Sequence, residues 1–336
     1  MTHSPWRFWI LVFPDVPRPI GGVKQMHRLG EVIQACGHEV VLVQENAEFH
    51  PGWFCSELPT IDRKSWFEQS DLLPDRDVLI LAETFLPLLL NLRPGLPKII
   101  FNQNGAYSFG VSGKSFPTPA DVLDLYGHPD LRQVWCVSEH DRSLLCLGLG
   151  LPTERVKLLV NGLEPQVRPA VAKQWQVAYM PRKNSHDAEV VTTLLQQQPW
   201  WKGWSLQVIK DCSHAEVIAI LQHSLVFVSF GHPEGFGLPV AEAMACGCAV
   251  VGYSGLGGRE LFDLADGYGL GVSVEPGDWL GFIDGVQRIN QRLRIRQDDV
   301  SHQLDVMAAV VRQRYSMDRM QRSISDAIDS VFAARS

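Results

Sequence analysis

The stretch that decides the fold is Ser229-Phe-Gly-His-Pro-Glu-Gly-Phe-Gly-Leu-Pro-Val-Ala-Glu-Ala-Met-Ala-Cys-Gly-Cys-Ala-Val-Val251. It opens on the end of an apolar run, Leu225 to Phe230, which has the length and β-branched content of a strand, and Ala249 to Gly252 is typical of the next buried strand. Between them, Pro239 fits the first turn of a helix and Gly247 its carboxyl-terminal stop. The stretch therefore predicts strand, glycine-rich loop, helix and strand, the repeating unit of a parallel α/β sheet.

The loop before this helix is expected to bind an anion. Backbone amides at Phe236, Gly237 and Leu238 lie at the helix amino terminus, where unpaired N–H groups and the helix dipole favour a phosphate. Two carboxylates flank that position, Glu234 in the loop and Glu242 about one turn into the helix. We therefore expect one ligand to bind in this loop, with its phosphate on the backbone amides and its other polar groups near the two carboxylates.

The spacing of these two glutamates carries little information by itself, because Glu31 and Glu39 are also eight residues apart. Only Glu234 and Glu242 bracket a Gly-x-Gly-x-Pro turn that follows a strand. A carboxylate in the first turns of such a helix can accept hydrogen bonds from a ribose while the amides hold the attached phosphates. The alternative is that Glu242 is merely a favourable charge near a helix amino terminus.

Composition limits the classes of protein. With 336 residues the chain is expected to form two domains, and 46% apolar and 20% charged residues are typical of a globular protein. A net charge of −7 argues against a basic nucleic-acid-binding protein. The sequence shows neither a signal peptide nor an apolar run of about 18 residues, so we expect a cytoplasmic protein without a transmembrane segment.

The seven cysteines show no C-x-x-C pair or zinc-finger spacing, which favours reduced thiols in the cytosol. Cys246 and Cys248 flank Gly247 and could suggest redox or metal chemistry. Small residues that pack a tight turn between helix and strand are the favoured interpretation.

The first half of the chain alternates strands and helices. A strand at Phe8 to Phe13, the pair Gly21-Gly22, a helix from about Val23 to Ala35 and a strand at Val40 to Val43 form the first unit of a doubly wound sheet. The pattern G-x-G-x-x-G is absent, so this is not the dinucleotide fingerprint. The two glycines allow a phosphate or sugar to approach the backbone, or they form only a flexible turn.

The second half repeats this alternation after a proline-containing linker, Glu164 to Gln174. Its first strand, Val177 to Met180, leads into Arg182 and Lys183, which are placed to neutralise a diphosphate or are ordinary surface cations. We predict an amino-terminal domain at 1–168, a carboxyl-terminal domain at 169–315, and a final helix at 316–336 that packs back on the first domain.

The sequence resembles a known family, the retaining, family 4 type of GT-B glycosyltransferases. The specific element is Glu-Gly-Phe-Gly-Leu-Pro-Val-Ala-Glu-Ala-Met-Ala-Cys-Gly at 234–247, which resembles the E-x7-E block of the family's nucleotide-sugar site. Weaker elements follow the family's order along nearly the whole chain: Gly21-Gly22, Gly37-His38, Val137-Ser138-Glu139, Asn161-Gly162, Arg182-Lys183 and Gly257-Gly258 with Glu260. The resemblance implies two Rossmann-like domains that face each other across a cleft.

The resemblance also implies a role for each matching residue. Glu242 would bind the donor ribose, and Glu234, the candidate catalytic residue, would contact the hydroxyls of the transferred sugar. Amides of Phe236, Gly237 and Leu238 would hold the diphosphate and sugar. The remaining donor-binding residues would be Gly21, Gly22, Arg182 and Lys183.

We expect no metal and no cofactor, because cations and helix amino termini can stabilise the departing nucleoside diphosphate. The sequence departs from the family at two points: the two cations adjoin, and Asn102-Gln103-Asn104 stands where many members carry a histidine. These departures leave open which cation binds phosphate and which group acts as base.

The sequence therefore predicts transfer of a sugar, a hexose by the resemblance, from a nucleoside-diphosphate sugar to a hydroxyl acceptor, which would be a saccharide, a lipid-linked glycan or a small molecule. The alternatives are a sugar-nucleotide epimerase of the same fold and a sugar-nucleotide-binding protein without turnover. A basic run from Arg288 to Arg296 is typical of a solvated face, and a peripheral contact with the inner face of the membrane is left open.

Overall fold

Two separate parallel β-sheets organise the chain. The computed structural model describes residues 5–110 and 118–333. It divides into two compact units: the first runs to Asn161 and includes the chain from Asp318 onward, and the second is Gly162–Met317.

The sheet of the first unit has seven strands in the order β3-β2-β1-β4-β5-β6-β7. Their bounds are β1 Arg7–Leu11, β2 Glu39–Gln44, β3 Thr60–Asp62, β4 Asp77–Ala82, β5 Lys98–Asn102, β6 Leu131–Cys136 and β7 Val156–Leu158. All neighbouring strands pair in parallel, with Phe8 opposite Val40 on one side and Val78 on the other. Strand order reverses beside β1, which is the mark of a doubly wound sheet.

Helices connect the strands of this sheet: α1 Gly21–Ala35, α2 Arg63–Glu68, α3 Pro119–Tyr126 and α4 Glu139–Ser143. The carboxyl-terminal helix α11, Met317–Ala333, also belongs to this unit for most of its length. Its Ser323 accepts a hydrogen bond from the Val160 amide at 3.1 Å, and its Ser330 accepts one from Gln133 at 2.9 Å. These two bonds fix α11 beside the end of the first sheet.

The sheet of the second unit has five parallel strands in the order β12-β11-β10-β8-β9. The strands are β8 Gln174–Tyr179, β9 Ser205–Val208, β10 Ser224–Ser229, β11 Ala249–Gly252 and β12 Gly271–Ser273. The helices are α5 Ser185–Gln196, α6 His214–His223, α7 Leu238–Ala245, α8 Arg259–Gly267, α9 Trp279–Ile295 and α10 Gln297–Arg314. The predicted class, α/β with two doubly wound Rossmann-like domains, is confirmed.

The central strand of the second sheet is apolar because it is covered on both faces. Val226, Phe227 and Val228 of β10 are buried, as are Val250 and Val251 of β11. Each such side chain contributes about 1.5–3 kcal/mol when removed from water. Packing of this kind fixes the strand ends, and with them the loops that carry the site.

Several elements differ from the sequence prediction: β1 is Arg7–Leu11 rather than Phe8 to Phe13, and β8 is Gln174–Tyr179 rather than Val177 to Met180. Helix α1 begins at Gly21 rather than near Val23, because Ile20 occupies the N-cap position without a side-chain hydrogen bond and gives no capping signal. Strand β3 was not predicted, since three edge residues are too few for a recognisable alternation.

All seven cysteines are free thiols. Cys246 and Cys248 are fully buried, and burial raises the pKa of both, so the uncharged thiol is the stable form. Cys248 Sγ lies 3.2 Å from the carbonyl oxygens of Leu221 and Ser224. This packing supports the interpretation of the pair as small core residues at the turn after α7.

Over residues 5–110 and 118–333, no helix is both long enough and apolar enough to cross a bilayer.

Candidate functional site

The amino terminus of α7 forms as the glycine-rich stretch predicts. Gly237 occupies the N-cap with φ of +83°, a left-handed conformation that L side chains rarely adopt, and Pro239 is the second helical residue. Amides in the first turn of a helix have no acceptor within that helix. The chain therefore presents backbone donors at the end of β10, as a phosphate site requires.

A neighbouring loop, residues 253–258, holds Glu234 in place through the backbone. The Glu234 amide donates to the Gly255 carbonyl at 2.7 Å, and the Gly257 amide donates to the Glu234 carbonyl at 3.0 Å. A Cβ atom on Gly257 would lie 1.9 Å from the Gly235 carbonyl oxygen, so only glycine allows the two loops to approach this closely. The glycines after β11 thus fix the backbone of the first glutamate.

Lys183 pairs with this glutamate. Its Nζ lies 3.0 Å from Glu234 Oε1 and also donates to the Pro233 carbonyl. Both side chains are only partly exposed, at 16% for Lys183 and 23% for Glu234. Arg182, by contrast, is exposed. Since β8 ends at Tyr179, both cations lie in the loop after the strand rather than on its opposite faces.

Five of these residues line one small hollow at the carboxyl end of β8 and β10: Arg182, Lys183, Glu234, Gly237 and Pro239. The structure therefore brings together, within the second unit, the basic pair, the first glutamate and the helix amino terminus that were predicted separately from the sequence. The combination of cation, carboxylate and backbone donors suits an anionic ligand that also carries hydroxyl groups.

Glu242 lies in α7 and is almost fully buried. Its Oε1 is 2.8 Å from Nε2 of His214, the first residue of α6. The other ring nitrogen, Nδ1, is 3.3 Å from Oε2 of Glu164. The imidazole thus stands between two carboxylates, one from the stretch after Asn161-Gly162 and one from α7.

Gly21 and Gly22 lie in the first unit, where they begin α1. A Cβ atom on Gly22 would lie 3.3 Å from Gln103 Oε1, so this end of α1 is packed against the residue that follows β5. Their predicted role toward a donor stays a prediction.

Sequence reasoning missed three contributors to the second-unit site. His214 contacts Glu242, and Glu164 contacts His214; both come from distant points of the chain and carry no local motif. Asn184 follows the basic pair, and its Nδ2 donates to the carbonyls of Phe230 at 2.7 Å and His232 at 3.2 Å. The sequence signal that could have identified Asn184 is its position directly after Arg182-Lys183, where a polar side chain can hydrogen-bond to the backbone of a neighbouring loop.

A second polar cluster lies in the first unit, at the carboxyl ends of β4, β5 and β6. Glu83 accepts a hydrogen bond from the Gln103 amide at 2.9 Å, and Asp141 accepts one from the Gly105 amide at 3.1 Å. The pKa of each carboxyl is raised to about 7, mainly by burial, and for Glu83 the charge of Asp141 contributes to that rise. Near neutral pH these two acids therefore hold more protons than exposed carboxylates do.

Asn102 belongs to the same cluster. Its Nδ2 donates to the hydroxyls of Ser108 at 2.9 Å and Tyr126 at 3.0 Å. The amide in this position is therefore engaged in the interior, and the predicted departure from a histidine at residues 102–104 corresponds to a buried hydrogen-bond network.

In the described part of the chain, no group of three or more His, Cys, Asp or Glu side chains is arranged to hold a metal ion.

Comparison with known proteins identifies the same region. Residues 203–297, which include His214, Glu234 and Glu242, match the family model glycosyl transferases group 1. An alpha-1,6-glucosyltransferase of Actinobacillus pleuropneumoniae serotype 7 is 36% identical over 73 residues. That match covers 22% of this chain and 20% of the glucosyltransferase, so the chain spans about a fifth of the length of the curated relative that it matches.

Solved structures match over nearly the whole chain. Sucrose-phosphate synthase from Thermosynechococcus elongatus superposes with a TM-score of 0.70 at 14% identity, covering 98% of this chain and 100% of that one. HepE from Anabaena, in complex with UDP-glucose, superposes with a TM-score of 0.71 at 12% identity, covering 96% and 99%. At such identities the likeness shows the fold, and it confirms the GT-B class of architecture.

Proposed function

We propose that the protein is a glycosyltransferase that moves a sugar from a nucleoside-diphosphate sugar to a hydroxyl acceptor. The observation that carries the proposal is the hollow at the amino terminus of α7, where Lys183, Glu234 and backbone donors converge within the segment that matches glycosyl transferases group 1. The UDP-glucose held by HepE makes UDP-glucose the first donor to test.

In this proposal the donor diphosphate lies over the amides of Phe236, Gly237 and Leu238. Lys183 and Arg182 balance the charge that develops on the leaving nucleoside diphosphate, so the reaction proceeds without a metal ion or other cofactor. The support is positional: both cations lie in the loop after β8, next to the amino terminus of α7.

Glu234 contacts hydroxyls of the transferred sugar, and Glu242 accepts hydrogen bonds from the ribose. Glu234 is already held by Lys183 and by two backbone bonds, which fixes its carboxylate before the donor arrives. We propose a hexose as the transferred sugar and retention of its anomeric configuration, as the resemblance to the family 4 type implies. No carboxylate of the protein forms a covalent glycosyl intermediate in this scheme.

The proposal extends to Gly21 and Gly22 of the first unit as donor contacts and to a cytoplasmic location, with a peripheral membrane contact left to experiment. The acceptor is a saccharide, a lipid-linked glycan or a small molecule. Replacing Gly22 with Ala should weaken donor turnover while leaving the thermal midpoint close to the wild-type value, because the group nearest the added Cβ is the flexible end of Gln103.

A donor-turnover assay tests the proposal. Purified protein is incubated with UDP-glucose, and with the GDP and ADP sugars, and the products are separated by mass spectrometry and NMR. Release of nucleoside diphosphate supports transfer, with slow hydrolysis expected when no acceptor is supplied. A new sugar isomer attached to nucleotide would instead indicate an epimerase, and binding without either product would indicate a module without turnover.

A further inference from the structure

His214 connects two carboxylates that are far apart in the sequence. Its Nε2 lies 2.8 Å from Glu242 and its Nδ1 lies 3.3 Å from Glu164. The three side chains are only 14%, 8% and 14% exposed, for His214, Glu242 and Glu164 in that order. A carboxylate buried to this extent is costly unless it is paired, and the imidazole supplies a partner to both, beside the Gln166 amide that donates to Glu164.

The position of His214 is set by its own helix. Ser213 caps α6 and accepts from the Glu216 amide, while the Glu216 carboxylate accepts from the Ser213 amide at 2.7 Å. This reciprocal cap fixes the first turn of α6, which begins after β9 at the carboxyl edge of the sheet. The ring is therefore held from a rigid element rather than from a loop.

Engagement of one oxygen orients the other. A carboxylate has two acceptor oxygens, and the contact to His214 uses Oε1 of Glu242. A partial rotation of the Glu242 carboxyl group about its last bond would break that contact, and a half-turn would only exchange the two equivalent oxygens. Oε2 is thereby directed before any ligand arrives, and a pre-directed acceptor binds a hydroxyl without the cost of ordering it.

We propose that His214 is a positioning residue that aims Glu242 at the ribose hydroxyls of the nucleoside diphosphate, with Glu164 holding the opposite side of the imidazole. This inference rests on the proposed donor site. It differs from a purely structural role, in which the three side chains only tie the segment after Asn161-Gly162 to α6 and α7.

The experiment compares a nucleotide with its form lacking the ribose hydroxyls. Binding of UDP, GDP and ADP to the full chain is measured by titration calorimetry, and the tightest of them is compared with its 2′,3′-dideoxy counterpart. In the wild-type protein the ribose form should bind about tenfold or more tightly, the effect of hydrogen bonds to a charged acceptor. In His214→Ala that preference should fall to below about twofold, while affinity for the dideoxy form changes little.

Two further variants test whether the loss of ribose preference in His214→Ala comes from its contact with Glu242. His214→Ala combined with Glu242→Gln should show no greater loss than Glu242→Gln alone, because both changes remove the same interaction. His223→Ala, at the other end of α6, should keep the wild-type preference. The preference is the ratio of the affinities for the ribose and dideoxy forms, both measured on the same variant. Partial unfolding of a preparation affects both measurements alike, so the ratio stays unchanged.

The outcomes separate this inference from the proposed function. A His214→Ala variant that keeps the preference overturns the role of His214 while the donor site stands. A wild-type protein that binds both forms equally overturns that role and the assignment of Glu242 to the ribose, while binding of the diphosphate stands. Failure of the wild-type protein to bind any of the three nucleoside diphosphates overturns the donor site itself, and the inference with it.

Discussion

Lys183 Nζ lies 3.0 Å from Glu234 Oε1, so the cation predicted to face the diphosphate and the carboxylate predicted to face the sugar form one pair. The pair is partly buried and is held further by the Pro233 carbonyl. Arg182, the adjacent cation, is exposed. In the proposed donor site, this asymmetry favours Lys183 over Arg182 for the main electrostatic role.

Lys183→Ala should therefore lower kcat/KM for the donor about 100-fold, the usual cost of removing one preorganised group that stabilises developing charge. Arg182→Ala should lower kcat/KM for the donor less than Lys183→Ala does, because an exposed cation is screened by solvent. Initial rates of nucleoside-diphosphate release measure both. Lys202→Ala, an exposed lysine of the same unit, is the control, and equal losses in the Lys183 and Arg182 variants would contradict the assignment.

Glu234→Gln should reduce turnover of the donor sugar more than it weakens binding of the free nucleoside diphosphate. In the proposed site, this carboxylate contacts the sugar hydroxyls and other groups hold the nucleotide. The amide has almost the same shape but cannot pair with Lys183 as an anion. Steady-state kinetics and calorimetry on the same preparation provide the comparison, and an equal loss in both measurements would argue against a sugar contact.

Gly257→Ala should destabilise the second unit by about 1–3 kcal/mol, as overpacking of a tight contact does. The new Cβ would meet the Gly235 carbonyl carbon and oxygen at 2.2 and 1.9 Å, and backbone cannot move aside as a flexible side chain can. Thermal or urea unfolding measures the change. Gly267→Ala is the matched control, since a Cβ there meets nothing within 4 Å, and its stability should stay the same or rise.

Stability should depend on pH through the buried acids of the first unit. The pKa of Glu83 and that of Asp141 are each raised to about 7 by burial, above their values of about 4 in an unfolded chain. The folded state therefore binds more protons than the unfolded state between these values. The resulting stabilisation is fully present below about pH 4 and is lost as pH rises through about 7.

Asp141→Asn should flatten this dependence, because the amide keeps an oxygen for the Gly105 N–H and cannot ionise. Urea unfolding of the first unit between pH 5.5 and 8.5 is the measurement. Glu139→Gln, two residues away and 57% exposed, should keep the wild-type slope. A wild-type slope of zero over this range would contradict the account of the two buried acids.

The order of strands and helices was predictable because buried strands are short apolar runs, several of them followed by a glycine or proline. Leu225 to Phe230 shows this in the sequence, where Gly231 follows, and the structure places a strand at Ser224–Ser229. Strand Thr60–Asp62 was not predictable, since its pairing with β2 comes from tertiary contact rather than from its own pattern.

The candidate site was predictable in its local parts. Glu234, Gly237, Pro239 and the basic pair lie close together because they follow strands whose carboxyl ends share one edge. The contact between His214 and Glu242 was not predictable, because it joins the first turns of two helices whose relative rotation depends on packing of the whole sheet.

In the proposed donor site, the amides at the amino terminus of α7 hold the donor diphosphate. Hydrogen–deuterium exchange of the peptide covering residues 231–242 tests it directly, with and without UDP-glucose or whichever nucleotide sugar raises the thermal midpoint. We expect slower exchange at Phe236, Gly237 and Leu238 when the donor is bound. Unchanged exchange at these three amides, with a donor that demonstrably binds, would contradict the claim.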